Sequence, residues 1–180
     1  GVLETLVKQP DINFLIIVSL LQSGVLLSEK TIELTTNERI KAIVTSQKQL
    51  NDELLNQSRT GNLDDIKRLL TIQNEFGLTA HLDAKDNEGI TALILAACKG
   101  HLEVLQYLIT EGKADVNAKN KYGNSALMWA ALKGHLEVVQ FLVKNGAEVN
   151  AKSNSGVTSL MWAAHKGHLD VVRFLVEHWA

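Results

Sequence analysis

A single cysteine, Cys98, leaves this 180-residue chain unable to close an internal disulfide. A reducing, intracellular setting is the expectation, with the cytoplasm as compartment. An excess of one charge is also missing. Formal net charge is −2, with 9 basic and 11 acidic residues in 1–85 and 9 of each in 86–180. No basic block stands out, so nucleic acid is not implied as a partner. Nor is there a long hydrophobic run. The most apolar stretch, 12–27, is interrupted by Ser19, Gln22, Ser23 and Gly24. A bilayer span wants about 20 apolar residues, so a buried helix and no membrane span are expected there. Glycine and proline are absent from Glu38 to about Arg59, where Ile40, Ile43, Val44, Leu50, Leu54 and Leu55 recur at helical spacing. One helix of roughly 20 residues, about 30 Å long, is expected. An initial methionine is missing too: the chain opens on Gly1, which points to natural ends lying elsewhere.

What is present is a repeat. Asn124-Ser-Ala-Leu-Met-Trp-Ala-Ala-Leu-Lys-Gly-His135 returns as Val157-Thr-Ser-Leu-Met-Trp-Ala-Ala-His-Lys-Gly-His168, and more faintly as Ile90-Thr-Ala-Leu-Ile-Leu-Ala-Ala-Cys-Lys-Gly-His101. Gly89, Gly123 and Gly156 keep the same spacing as Gly100, Gly134 and Gly167. A fixed period of about 33 residues means one supersecondary unit copied and stacked, since a single copy cannot bury its own apolar face. A fourth, degenerate copy aligns Leu54 with Leu127, Ser58 with Ala131, and Gly61 with Gly134. About five extra residues follow it, placed within 71–82.

These motifs resemble ankyrin repeats. The resemblance rests on Asp86-Asn-Glu-Gly-Ile-Thr-Ala-Leu, on Ala-Ala-x-x-Gly-His, and on Ala114-Asp-Val-Asn-Ala and Ala147-Glu-Val-Asn-Ala. It implies an all-α ankyrin-repeat solenoid with a helical N-terminal extension. The expected organisation is an extension over 1–50, a degenerate repeat over 51–85, and repeats over 86–119, 120–152 and 153–180. The family's Thr-Pro-Leu-His is Thr91-Ala-Leu-Ile94, Ser125-Ala-Leu-Met128 and Thr158-Ser-Leu-Met161 here. Without that histidine the polar ladder between repeats is expected to give way to apolar stacking by Ile94, Met128 and Met161. The segment 11–44 is also similar to short helical units that accompany ankyrin repeats in effectors of intracellular bacteria, for which the compartment would be the host cytoplasm.

His101, His135 and His168 recur one per repeat, each after a glycine at the start of a second helix. No second ligand converges on any of them, so a structural role is expected and no metal. Cys98 with His101 is a thin nucleophile–base pair lacking a third group to orient it. No catalytic residue and no cofactor are expected.

The tryptophans point to function. With Leu127 at zero on a helical wheel, Trp129 falls at about 200° and Lys133 at about 240°, away from the Ala130 and Ala131 side. Trp162 and Lys166, and Leu95 and Lys99, take the same places, flanked by Leu132 and His165. This side is expected to bind another protein on the concave face. Tyr122, Asn154 and Ser155, at the hairpin tips, extend it. Lys99, Lys133 and Lys166 favour an acidic partner segment. The alternative for Trp129 and Trp162 is that they stack on each other as packing. Other readings are a methyl-lysine reader walled by Trp129 and Trp162, and the targeting arm of a larger enzyme or bacterial effector. A monomer is expected. At the C-terminus Trp179 stands where Gly146 stands one repeat earlier. Either it folds back as a cap over Val172 and Leu175, or the natural chain continues, and continuation is favoured.

Overall fold

The computed structural model describes residues 38–72 and 78–178, together with the single position Ser19. Apart from Ser19, the expected helix over 12–27 lies outside the described residues, as does the role of Trp179. So does the middle of the five-residue insertion.

Eight helices are described. They are α1 (Glu38–Thr60), α2 (Leu63–Thr71), α3 (Ala92–Lys99), α4 (Leu102–Thr110), α5 (Ala126–Lys133), α6 (Leu136–Lys144), α7 (Ser159–Lys166) and α8 (Leu169–Glu177). They form four successive pairs. The first helices α1, α3, α5 and α7 pack in a row, and the second helices line up beside them. The long gap-free stretch forms a single helix of 23 residues, as its lack of breakers predicts.

The helices from α2 onward have 8 or 9 residues. Isolated helices of that length are marginal in water, so packing has to hold them. Their ends are built identically from the repeated letters. Thr91, Ser125 and Thr158 cap α3, α5 and α7 by accepting from the backbone N–H three residues on. Gly100, Gly134 and Gly167 close the same helices in the left-handed conformation, at φ 78°, 75° and 75°. The second helices leave from α4 and α6 by different routes. Gly146 turns at φ 89°, whereas after α4 the positive φ falls on Lys113, at 63°, and not on Gly112.

The alanine pairs are the centre of the packing. Ala96, Ala97, Ala130 and Ala131 are 0% exposed, which lets neighbouring first helices approach closely. Leu105, Leu108, Leu142 and Leu175, also at 0%, fill the space toward the second helices. The degenerate first copy follows the same plan: Leu54 and Ser58 are fully buried, and the Ser58 hydroxyl donates to the Leu54 carbonyl at 2.8 Å. Two buried amides on α1 hold the loop that follows α2. Gln47 donates to the Thr79 carbonyl at 2.9 Å, and Asn51 accepts from the His81 backbone N–H at 2.8 Å.

One buried group departs from the pattern. Ser159 is 0% exposed, and its hydroxyl has no hydrogen-bond partner among the described residues. Ala92 and Ala126 hold the same register, both at 0% exposure. Removing an unpaired buried hydroxyl relieves a desolvation cost of about 1–3 kcal/mol. Ser159→Ala is therefore expected to stabilise the protein by about 1 kcal/mol, read as a higher denaturant midpoint at unchanged slope. An unchanged or lower midpoint would show that the hydroxyl is satisfied.

The apolar stacking expected of Ile94, Met128 and Met161 holds for the first two, each 1% exposed, and fails for Met161, at 54%. These side chains face the next repeat, and α7 has no first helix beyond it among the described residues. The expectation that the polar ladder is lost needs a larger correction. It is present, carried by another histidine of the motif. Nε2 of His101, His135 and His168 lies 3.0, 3.2 and 3.1 Å from the carbonyls of Arg59, Cys98 and Leu132 in the preceding repeat. A carbonyl only accepts, so each Nε2 carries the proton. That explains why these histidines open their helices with no side-chain cap bond of their own.

Candidate partner-binding site

Between consecutive helix pairs the chain makes a tight hairpin. Asp86, Asn120 and Ser153 each donate a backbone N–H across it, to Ile90, Asn124 and Val157, at 3.1, 3.1 and 2.9 Å. The side chains of Asp86 and Asn120 also accept from two N–H groups inside their own turn. Each hairpin tip therefore stands up rigidly beside the first helix that follows it.

A cavity of about 590 Å³ lies between two such tips and the helices below them. Its walls are Glu88 and Ile90 from one hairpin, Asn120, Tyr122 and Asn124 from the next, Met128, Trp129 and Leu132 from α5, and Trp162 from α7. Three aromatic side chains from adjacent repeats thus share one concavity. Trp129 is partly buried and packs on the core, while Tyr122 is 58% exposed at the rim. The Trp129 indole nitrogen is buried with no hydrogen-bond partner among the described residues. Trp162 sets its edge against His165, centroids 6.3 Å apart and planes at 70°. Among the described residues no ring contact joins Trp129 to Trp162.

The Tyr122 hydroxyl donates to the Glu88 carboxylate at 2.6 Å. That hydrogen bond, followed by the carboxylate's charge, raises the phenol above its ordinary value of 10.0. The phenol therefore keeps its proton and donates at neutral pH, and the bond loosens as pH rises through the phenol's raised value.

Of the residues singled out from sequence, the cavity gathers Tyr122, Trp129, Leu132 and Trp162, with His165 alongside. The others sit elsewhere. Leu95 holds the register of Trp129 but is only 9% exposed, because its shorter side chain is enclosed in the core cluster. Lys99, Lys133 and Lys166 are exposed in the last turns of α3, α5 and α7, outside the cavity wall. Cations there complement the helix macrodipole, which accounts for their recurrence without a ligand. Asn154 is a joint between hairpins: its amide donates to the Lys121 carbonyl at 2.8 Å and its backbone N–H to the Tyr122 carbonyl at 3.0 Å. Ser155 is exposed and pairs with Ser153 at 3.0 Å.

Glu88, Ile90, Asn120 and Asn124 were not picked out from sequence, and Met128 was read only as a stacking residue. Glu88 had a signal. It precedes Gly89 as Tyr122 precedes Gly123 and Ser155 precedes Gly156, so the register that selected two tip residues selects the third.

The histidines are committed to the repeat-to-repeat bonds already described, His101 included, whose ring nitrogen reaches the Arg59 carbonyl rather than Cys98. Among the described residues no three His, Cys, Asp or Glu side chains gather as a metal set, and no helix is long and apolar enough to cross a membrane.

A family model described as ankyrin repeats (3 copies) matches residues 54–153 and 121–180. A search of curated proteins finds no match. With helix pairs, hairpins and capped glycines recurring at one period, and with most of its length matched, the chain belongs to the ankyrin-repeat family.

Proposed function

We propose that this chain is a protein–protein recognition module that takes a side chain of its partner into the cavity walled by the first two hairpins and by α5 and α7. Ankyrin repeats are an interaction fold, and the observation that carries the finer reading is the shared concavity walled by Tyr122, Trp129 and Trp162. Rigid aromatics lining a pocket are the usual anchors of an interface. The scaffold beneath them is already packed and capped, so little ordering entropy opposes binding. The unpaired indole N–H of Trp129 supports the same reading, since an acceptor brought by the partner, with a small shift of the ring, would satisfy it.

A second reading, recognition of a methylated lysine, has one observation in its favour. The charged group on the cavity wall is the Glu88 carboxylate, and the lysines that would repel a cation stand outside. Aromatic faces with a carboxylate favour a quaternary or alkylated ammonium. The acidic-partner reading rests on Lys99, Lys133 and Lys166 and places the contact on the rim instead.

Trp162→Ala and Tyr122→Ala, in side chains not enclosed in the core, are expected to keep the helical spectrum and weaken partner binding by about 30-fold each. Unchanged affinity with intact folding removes the cavity from the interface. Glu88→Gln separates the two chemistries. Loss of binding to a dimethyl-lysine peptide supports the second reading, and salt-sensitive binding of an acidic peptide unaffected by Glu88→Gln supports the rim.

A further inference from the structure

The aromatic cavity carries an uneven set of hydrogen-bonding groups. Its backbone acceptors are already engaged. The carbonyls of Glu88, Ile90, Asn120, Tyr122 and Asn124 accept from the N–H groups of Lys121, Asp86, Gly123, Asn154 and Asn120, each at 3.0 or 3.1 Å. On α5 the Leu132 carbonyl accepts from His168. The Glu88 carboxylate stands exposed on the wall and accepts from Tyr122.

The donors are free. The Trp129 indole N–H is buried without a partner among the described residues. Asn120 is 7% exposed, and its amide is held in one orientation. Oδ1 accepts from the backbone N–H groups of Tyr122 and Asn124, at 3.0 and 2.9 Å. Those two bonds identify the oxygen, so the other end of the amide is the NH2 group. That NH2 makes no hydrogen bond among the described residues.

An occupant therefore has to bring acceptors, and its charge and its own donors narrow the choice. An ammonium would face two donors. A carboxylate would be buried among aromatic walls beside Glu88, and no lysine or arginine is on the wall to pair with it. A carboxamide or an ordinary peptide group carries N–H groups of its own, which would leave water for a wall whose backbone acceptors are engaged. The peptide bond that precedes proline is a neutral acceptor with no N–H. In the polyproline II conformation its carbonyls take no internal hydrogen bond, and such segments dock on aromatic-lined grooves with little ordering to lose. The cavity supplies Tyr122, Trp129 and Trp162, and its walls come from three successive repeats, which gives it length along the stack.

We propose, resting on the cavity as the contact site, that its occupant is a proline-rich segment of the partner in the polyproline II conformation. One carbonyl accepts from the Trp129 indole N–H after a small turn of the ring. A second accepts from the Asn120 NH2, and the pyrrolidine rings pack between Tyr122 and Trp162.

The test uses the whole chain labelled with nitrogen-15 and, as probe, acetylated and amidated hexaproline. A Gly-Ser hexapeptide, an acidic hexapeptide and a dimethyl-lysine peptide are the comparisons. Hexaproline is expected to move the indole N–H resonance of Trp129 downfield and to saturate, while the Gly-Ser peptide leaves it in place. Trp129→Phe assigns that resonance, keeps an aromatic ring and removes the donor. It is expected to weaken hexaproline binding about tenfold. A denaturant midpoint that falls in Trp129→Phe while affinity for hexaproline stays unchanged makes Trp129 a packing residue and overturns the proposal. If the variant loses both, the resonance in the unaltered chain decides. Hexaproline binding that leaves this resonance unmoved overturns the proposal, as does no binding at all. A resonance moved by the acidic or dimethyl-lysine peptide and not by hexaproline overturns it too, but keeps the cavity as the contact site. The cavity itself stands or falls on Trp162→Ala with the natural partner.

Discussion

Gly134→Ala is expected to destabilise the protein by about 2–4 kcal/mol, while Gly167→Ala costs only about 1–2 kcal/mol. Both glycines sit at φ 75°, so both variants pay for placing a side chain in the left-handed region. Only Gly134 is covered. Its new Cβ would stand 2.5 Å from Nδ1 of His168, too close for any real contact, so the imidazole has to move. Moving it breaks the bond to the Leu132 carbonyl. The difference between the two variants therefore isolates the worth of one joint from the worth of the turn. Denaturant melts of the pair read it directly. Equal losses would show that the histidine joint adds nothing beyond filling space.

Leu54→Ala is expected to cost about 2–5 kcal/mol, as does any fully buried leucine left as a cavity. Leu54 is 0% exposed and belongs to the core cluster that runs through all four helix pairs. Leu63, on the same degenerate copy, is only partly buried against that cluster, so Leu63→Ala should cost clearly less. The ordering of the two carries the argument. If Leu54→Ala were nearly neutral, α1 would be an appendage rather than the first helix of the stack.

Much of the architecture was legible because the repeat writes its own grammar. Ser or Thr at each first-helix cap, an alanine pair, and Gly-His at the junction recur at one period, and each letter has one physical job. Leu54 and Ser58 are fully buried, like Leu127 and Ala131 at the positions aligned with them. Sequence comparison with the family motif misled at the ladder. It looked for a histidine in the first helix, whereas the bonds run from the histidines after Gly100, Gly134 and Gly167. A wheel gives direction but not depth. It placed Leu95 with Trp129, and only packing shows that one is enclosed and the other lines a cavity. Lys99, Lys133 and Lys166 illustrate the same limit, because a cation repeated at helix ends serves the helix dipole whether or not a partner exists. Glu88 was missed because the tip register was applied to two repeats and not the third.

The histidine joints have a consequence for how the molecule comes apart. In a linear array, cooperativity resides in the couplings between neighbours, since each unit touches only the next. Each coupling here includes, beside the packed first helices, a joint of one imidazole, one glycine and one carbonyl, repeated three times. Weakening the middle one, His135 on Gly100, is expected to split the array toward two blocks that melt on separate curves, read in a denaturant melt followed by two probes. The same change at His168 merely sheds the last pair of helices. One substitution type, moved along the chain, thus converts a single transition into two, and the position of the break sets how much structure leaves in each.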